Sequence, residues 1–165
     1  MGAGKSTVGR LLAARLGTRF ADSDEVVAQR AGRSVAEIFA SDGEGAFRAL
    51  ERAVVEELVT AAGAGDDPAG VVALGGGAVQ DRSTRALLRS ALVAYLEVSY
   101  AEVLTRVGGD GSRPVLSRPD LEEVYAARRE AYREVADLTV LTDGLDAPAV
   151  VDAVAQAIAA GAGDR

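Results

Sequence analysis

The chain opens on Gly2-Ala3-Gly4-Lys5-Ser6-Thr7, and an apolar repeat follows at once: Val8, Leu11, Leu12 and Leu16, halted by Gly17. The repeat has helical spacing, and glycine is the residue that most readily stops a helix. A glycine-rich turn running directly into a helix has one well-defined physical use. Glycines let the backbone curl so that successive N–H groups point inward, and the helix adds its positive N-terminal end. Both features favour phosphate. The string matches the G-K-[ST] end of the phosphate-binding loop G-x-x-x-x-G-K-[ST], in which the lysine meets the β- and γ-phosphates and the hydroxyl serves Mg²⁺. Lys5 is the only lysine in a chain with 18 Lys and Arg residues. A chain that otherwise uses arginine has kept its one ammonium in this loop.

Several other chemistries are excluded. The sequence has no cysteine and no histidine, so disulfides, thiol nucleophiles, Ser-His-Asp triads and His-ligated zinc are absent. The longest charge-free stretch, Pro68 to Gln80, is 13 residues, shorter than the roughly 18 apolar residues that mark a bilayer span. A net charge of −7 argues against a nucleic-acid partner, which needs a basic footprint. At 165 residues and 48% hydrophobic the chain is one domain with a real core.

Along the chain, short apolar runs alternate with helical patterns. Strands are predicted over 18–22, 71–74, 92–98 and 138–141. Helices are predicted from Asp22-Ser23-Asp24 through Ala31, from the Ser34–Glu37 capping box, from about Gly45 through Leu58, over 83–90, 100–107 and 121–135, and from Pro148 through Ile158. This alternation predicts an α/β fold, a parallel sheet flanked by helices on both faces. Ligands of such sheets gather at the carboxyl ends of the strands, where the candidate residues fall. Asp22 and Asp24 follow the first predicted strand, as catalytic carboxylates or as helix caps. The 71–74 strand ends in Gly75-Gly76-Gly77 without an acid, so the carboxylate for a Mg²⁺ near Ser6 has to come from elsewhere, with Asp22 the natural supplier. The three glycines could meet a substrate closely or form a plain turn. Arg48 precedes Glu51 by three residues, a spacing that also suits a surface ion pair. Arg113 follows a glycine-rich loop, as a lid cation would. Arg128 and Arg129 lie on one helix.

Taken together these segments resemble the shikimate kinases, small P-loop enzymes similar to nucleoside-monophosphate kinases. The resemblance rests on G-A-G-K-S-T-V-G (2–9), D-S-D (22–24), G-R-S-V-A-E-I-F (32–39), D-G-E with F-R-x-L-E (42–51), L-G-G-G-A-V (74–79), R-P-V-L (113–116) and R-R-E-A-Y (128–132). It implies a three-layer P-loop kinase fold and ATP-dependent phosphorylation of the shikimate 3-hydroxyl, with Mg²⁺. Gly2, Ala3, Gly4, Lys5, Ser6 and Thr7 would hold the nucleotide phosphates, and Ser6 with Asp22 the metal. Arg106 and the 143–148 segment, including Pro148, would hold the adenine. Asp24, Arg48, Gly75, Gly76, Gly77 and Arg128 would bind shikimate. Lys5, Asp24 and Arg113 would be catalytic. The family pattern R-x-P-L-Y lacks its proline here, and Arg129 adjoins Arg128, so either arginine could take the carboxylate. The resemblance further implies one domain over 1–165, with a shikimate-binding region at about 23–60 and a lid at about 108–118, in a cytoplasmic monomer without nucleic-acid or membrane partners. A gluconate-kinase-like enzyme and a nucleotide-binding module with impaired catalysis are the alternatives. A phosphate loop normally follows a buried strand, and the first glycine of the motif would fall before residue 1. The chain as written is therefore expected to lack the first, central strand of the sheet and to be poorly soluble or weakly active.

Overall fold

Gly4 adopts the left-handed conformation (φ 72°) that turns the phosphate loop into helix α1 (Lys5–Leu16), and Gly17 ends that helix at φ 64°. These are conformations that side chains resist. The structure, a computed structural model, describes residues 2–62, 70–107 and 121–161.

Strand β1 (Phe20–Asp22) leads into α2 (Ser23–Ala31). Of the two acids that the sequence offers as caps of α2, Asp22 is the one that caps it: its Oδ1 accepts from the Asp24 and Glu25 N–H groups at 2.9 and 3.4 Å. The extended backbone of Asp22 (φ −114°, ψ 123°) leaves it half outside the helix, as a cap must be. The predicted capping box is present: Ser34 N donates to Glu37 Oε2 at 2.7 Å, and Glu37 N to Ser34 Oγ at 3.2 Å. It starts α3 (Val35–Ala62), one long helix with a break at Gly43, where φ is 83°. The two helices expected here are thus the two arms of one kinked helix.

Strand β2 (Val71–Ala73) is followed by a short 3₁₀ turn (Ala78–Gln80), unforeseen in the sequence, then α4 (Arg82–Leu88), β3 (Ala94–Glu97), α5 (Tyr100–Val107), α6 (Leu121–Val135), β4 (Leu138–Leu141) and α7 (Ala147–Gly161). The strands are parallel, as predicted, but among the described residues they form two separate pairs. β1 pairs with β2, Asp22 opposite Ala73, and β3 pairs with β4, Glu97 opposite Leu141.

One apolar cluster joins both pairs. Val8 and Leu12 of α1 and Val150, Val151 and Val154 of α7 are buried with Val140 of β4, and Val71 of β2 and Leu96 of β3 pack against them. On the other face, Val55 and Val59 of α3 bury against Ala78, Val79 and Leu88, with Tyr132 and Val135 of α6 alongside. Helices thus cover both faces, as expected of this class. The phosphate loop meets the carboxyl ends of β1 and β3, through Ser6 on Asp22 and Ala3 on Val98, and Ser23 ties the end of β1 to Gly75 after β2. No described helix is long and apolar enough to cross a membrane.

Candidate active site

Three successive residues join two halves of the site. Asp22 caps α2 through one carboxylate oxygen, and its other oxygen accepts from Ser6 Oγ at 2.5 Å. Ser23 is fully buried, and its Oγ accepts from the Gly75 N–H at 2.8 Å. Asp24 reaches the glycine triad, because a Cβ built on Gly75 would collide with Asp24 Oδ1 and with Glu51 Oε1. The D-S-D segment therefore ties the phosphate loop to the strand end 50 residues away in sequence.

In the loop, Ala3 is buried against Val98 and Val103, which fixes the loop beside the end of β3. The space around Gly4 is open: apart from its chain neighbours, no atom of the described residues lies within 4 Å of where a Cβ would stand. Lys5 begins α1 and Thr7 lies on its exposed side. An open turn, a helix N-terminus and one ammonium together suit polyphosphate. A hydroxyl and a carboxylate oxygen, both hard donors, suit Mg²⁺, which ordinarily takes one or two protein ligands and completes its shell with water and substrate phosphate. Ser6 and Asp22 fit that role.

The other half is built around Arg48. Its Nη1 donates to Glu51 Oε2 at 2.5 Å and its Nη2 to Glu44 Oε1 at 3.1 Å. The guanidinium also lies 5.1 Å from the Phe47 ring centre. The i,i+3 spacing suggests a surface pair, but the Glu51 side chain is only 4% exposed. Glu51 Oε1 has no hydrogen-bond partner among the described residues. Burial pushes the Glu51 carboxyl above its ordinary range, against the pull of Arg48, and the nearby Asp24 charge adds to the rise. Glu51, which closes the F-R-x-L-E string, is thus brought beside Asp24 at the glycine triad, a placement that the sequence argument passed over. Arg48 and Glu51 also line a cavity of about 240 Å³ between α3 and the 3₁₀ turn.

The glycines give close approach, but each to a protein side chain. A Cβ on Gly77 would fall on the Arg48 guanidinium. One on Gly76 would meet Tyr132 Oη at 3.6 Å and Arg128 Nη1 at 3.8 Å. The Gly75 N–H is held by Ser23 Oγ, and the glycine leaves room for the Asp24 and Glu51 carboxylates.

The paired arginines point to different neighbours. Arg128 faces Gly76 and is half-buried, and burial together with the positive Arg48 lowers its pKa. Arg129 turns away and donates through Nε to Glu97 Oε1 at 2.6 Å. Pro148 lies exposed in the first turn of α7. Arg106 belongs to α5, but its side chain lies outside what is described, as do Arg113 and the 108–118 segment.

A parallel α/β core with a phosphate loop at its carboxyl edge, and arginines and carboxylates facing it, defines a P-loop phosphotransferase. A family model described as shikimate kinase matches residues 1–159. The shikimate kinase of Streptomyces coelicolor is 44% identical over 161 residues, covering 96% of this chain and 91% of that protein. That of Mycobacterium tuberculosis H37Ra is 47% identical over 154 residues, covering 91% and 84%. Among solved structures, shikimate kinase from Acinetobacter baumannii in complex with shikimate superposes with a TM-score of 0.89 at 35% identity, covering 98% of this chain and 89% of that one. The chain belongs to the shikimate kinase family.

Proposed function

We propose that the two halves joined by Asp22-Ser23-Asp24 are a nucleotide site and a shikimate site, and that the protein transfers the ATP γ-phosphoryl group to the shikimate 3-hydroxyl. The product is shikimate 3-phosphate, on the route to aromatic amino acids. The observation that carries this reading is the D-S-D bridge: the Asp22 carboxylate on the Ser6 hydroxyl, and the Asp24 carboxylate beside Gly75 and Glu51.

ATP binds with Mg²⁺, which neutralises developing charge on the phosphates when bound. Ser6 and Asp22 would hold the ion, and Lys5 with the backbone of residues 2–6 the phosphates. Arg48 and Arg128 offer forked donors to the carboxylate of shikimate. Asp24 orients the acceptor hydroxyl and takes its proton, and the free Glu51 Oε1 is a further acceptor for ring hydroxyls. Residues 1–165 are read as one domain, with shikimate contacts within about 23–60, Arg113 on a lid at about 108–118, and Arg106 and Pro148 toward the adenine. A cytoplasmic monomer belongs to the same proposal, on the strength of the family resemblance.

Coupled ADP release with shikimate, with gluconate and without acceptor tests the reading. ADP release is expected to depend on shikimate; equal release with gluconate, or none with either, refutes it.

Arg128→Ala is expected to raise the shikimate KM about 10- to 100-fold, the loss of one charge-assisted contact worth roughly 1.5–3 kcal/mol. Arg129→Ala is expected to raise it less, since Arg129 is spent on Glu97. An equal or reversed order in steady-state KM values would transfer the carboxylate to Arg129.

A further inference from the structure

Arg128 and Arg48 are both half-buried guanidiniums around the glycine triad, and each is within reach of the other's charge. Without a bound anion they repel. Arg48 is held by Glu44 and Glu51. Arg128 makes no hydrogen bond or ion pair to any described residue, so its place depends on where α6 is held.

Part of the hold is on the adjacent face of α6. Arg129 and Arg133 stand one turn apart, and Glu97 Oε1 accepts from Arg129 Nε at 2.6 Å and from Arg133 Nη2 at 2.9 Å. Glu97 closes β3 and is only 9% exposed. Burial raises its pKa, but the two guanidiniums outweigh that and keep the carboxyl below its ordinary range. Strand alternation puts Tyr95 on the same side as Glu97, and the Tyr95 ring stacks on Tyr132 at 5.0 Å between centres. The Tyr132 hydroxyl donates to the Gly76 carbonyl at 2.6 Å, and the Tyr125 hydroxyl to the Val98 carbonyl, also at 2.6 Å. Arg128 and Tyr132 form the stripe about 100° around the helix from Arg129 and Arg133. The carboxylate that grips the second stripe thus acts together with the Tyr132–Gly76 bond on the rotation of the first.

We infer that Glu97 is a positioning residue for substrate binding: its clamp on Arg129 and Arg133 keeps α6 turned so that Arg128 faces the glycine triad before shikimate arrives. The inference rests on the reading that Arg128 takes the shikimate carboxylate. It adds that affinity is set partly by a residue that touches no substrate, because a preformed site loses less on binding.

A double-mutant cycle on the full chain tests it. Glu97→Gln is expected to raise the shikimate KM roughly tenfold and to leave the ATP KM within about twofold. In an Arg128→Ala background the same change is expected to raise the shikimate KM by less than about twofold, because nothing is left to position. The same rise in both backgrounds, or parallel rises in both KM values, overturns the inference. If Glu97→Gln does not fold, Arg129→Gln with Arg133→Gln removes the clamp from the exposed side and is read in the same cycle. Absence of shikimate turnover in the unmutated protein overturns the functional reading and this inference together, whereas turnover with an additive cycle overturns the inference alone.

Discussion

Asp24→Asn is expected to lower shikimate turnover by about 10²- to 10⁴-fold, the usual contribution of a positioned general base, while ATP still binds. The substitution keeps the shape of the side chain and removes only its ability to take a proton. Its structural cost is small for a specific reason: Asp22, not Asp24, caps α2 and accepts from Ser6. Asp24 neither caps α2 nor bonds Ser6, although it lies two residues from the residue that does both. Phosphoryl transfer is mostly positioning and charge neutralisation, so the loss is expected in kcat at saturating shikimate, with the melting temperature nearly unchanged. Saturation kinetics by ADP release, beside a fluorescent-nucleotide titration, measures both sides. A variant that keeps most of its kcat would remove Asp24 from the chemistry. One that also loses nucleotide binding would show that the D-S-D segment cannot be divided in this way.

The parts of the site that were legible in the sequence are those written in local chemistry. A left-handed glycine before a helix, a Ser-x-x-Glu capping box and an apolar strand ending in glycines each depend on neighbours a few residues away, and each stands where expected. The parts that were not legible depend on distant partners. Glu51 reads as half of a surface pair until Asp24 and Gly75 close over it. Gly75 reads as an amide donor until Ser23, 52 residues earlier, takes that amide. Arg129 and Arg128 are equivalent in sequence, and only their distant neighbours, Glu97 for the one and Gly76 for the other, tell them apart. The division of the strands into two pairs is likewise a property of the sheet, which no single strand pattern carries.

That division underlies the second large effect. A parallel strand supplied ahead of the phosphate loop, about ten Val/Leu/Ile-rich residues ending in Gly, is expected to raise the melting temperature by on the order of 10 °C and to increase ADP release. β1 and β2 pair over three residues, β3 and β4 over four, and among the described residues no ladder joins the pairs. Two-stranded pairs are marginal unless something covers them. The phosphate loop lies between their carboxyl ends: Ser6 touches Asp22 at the end of β1, and Ala3 is buried against Val98 just beyond β3. A strand entering Gly2 would run between β2 and β3, where it could bond to both. Val71 and Leu96 already meet in one cluster beneath α1 and α7, so its apolar side chains would find a partly built core. Each buried backbone group that gains a partner removes a cost of about 1–3 kcal/mol, and 1 kcal/mol moves the midpoint of a domain this size by about 2–4 °C. The bridge would also stiffen the loop that must hold the phosphates, which links the expected stability to the expected rate. Thermal melts and ADP release should be compared for the chain as given, for the apolar extension and for a Gly/Ser extension of equal length. Only the apolar extension is expected to act; equal melts and rates for all three would mean that the space between β2 and β3 does not accept a strand.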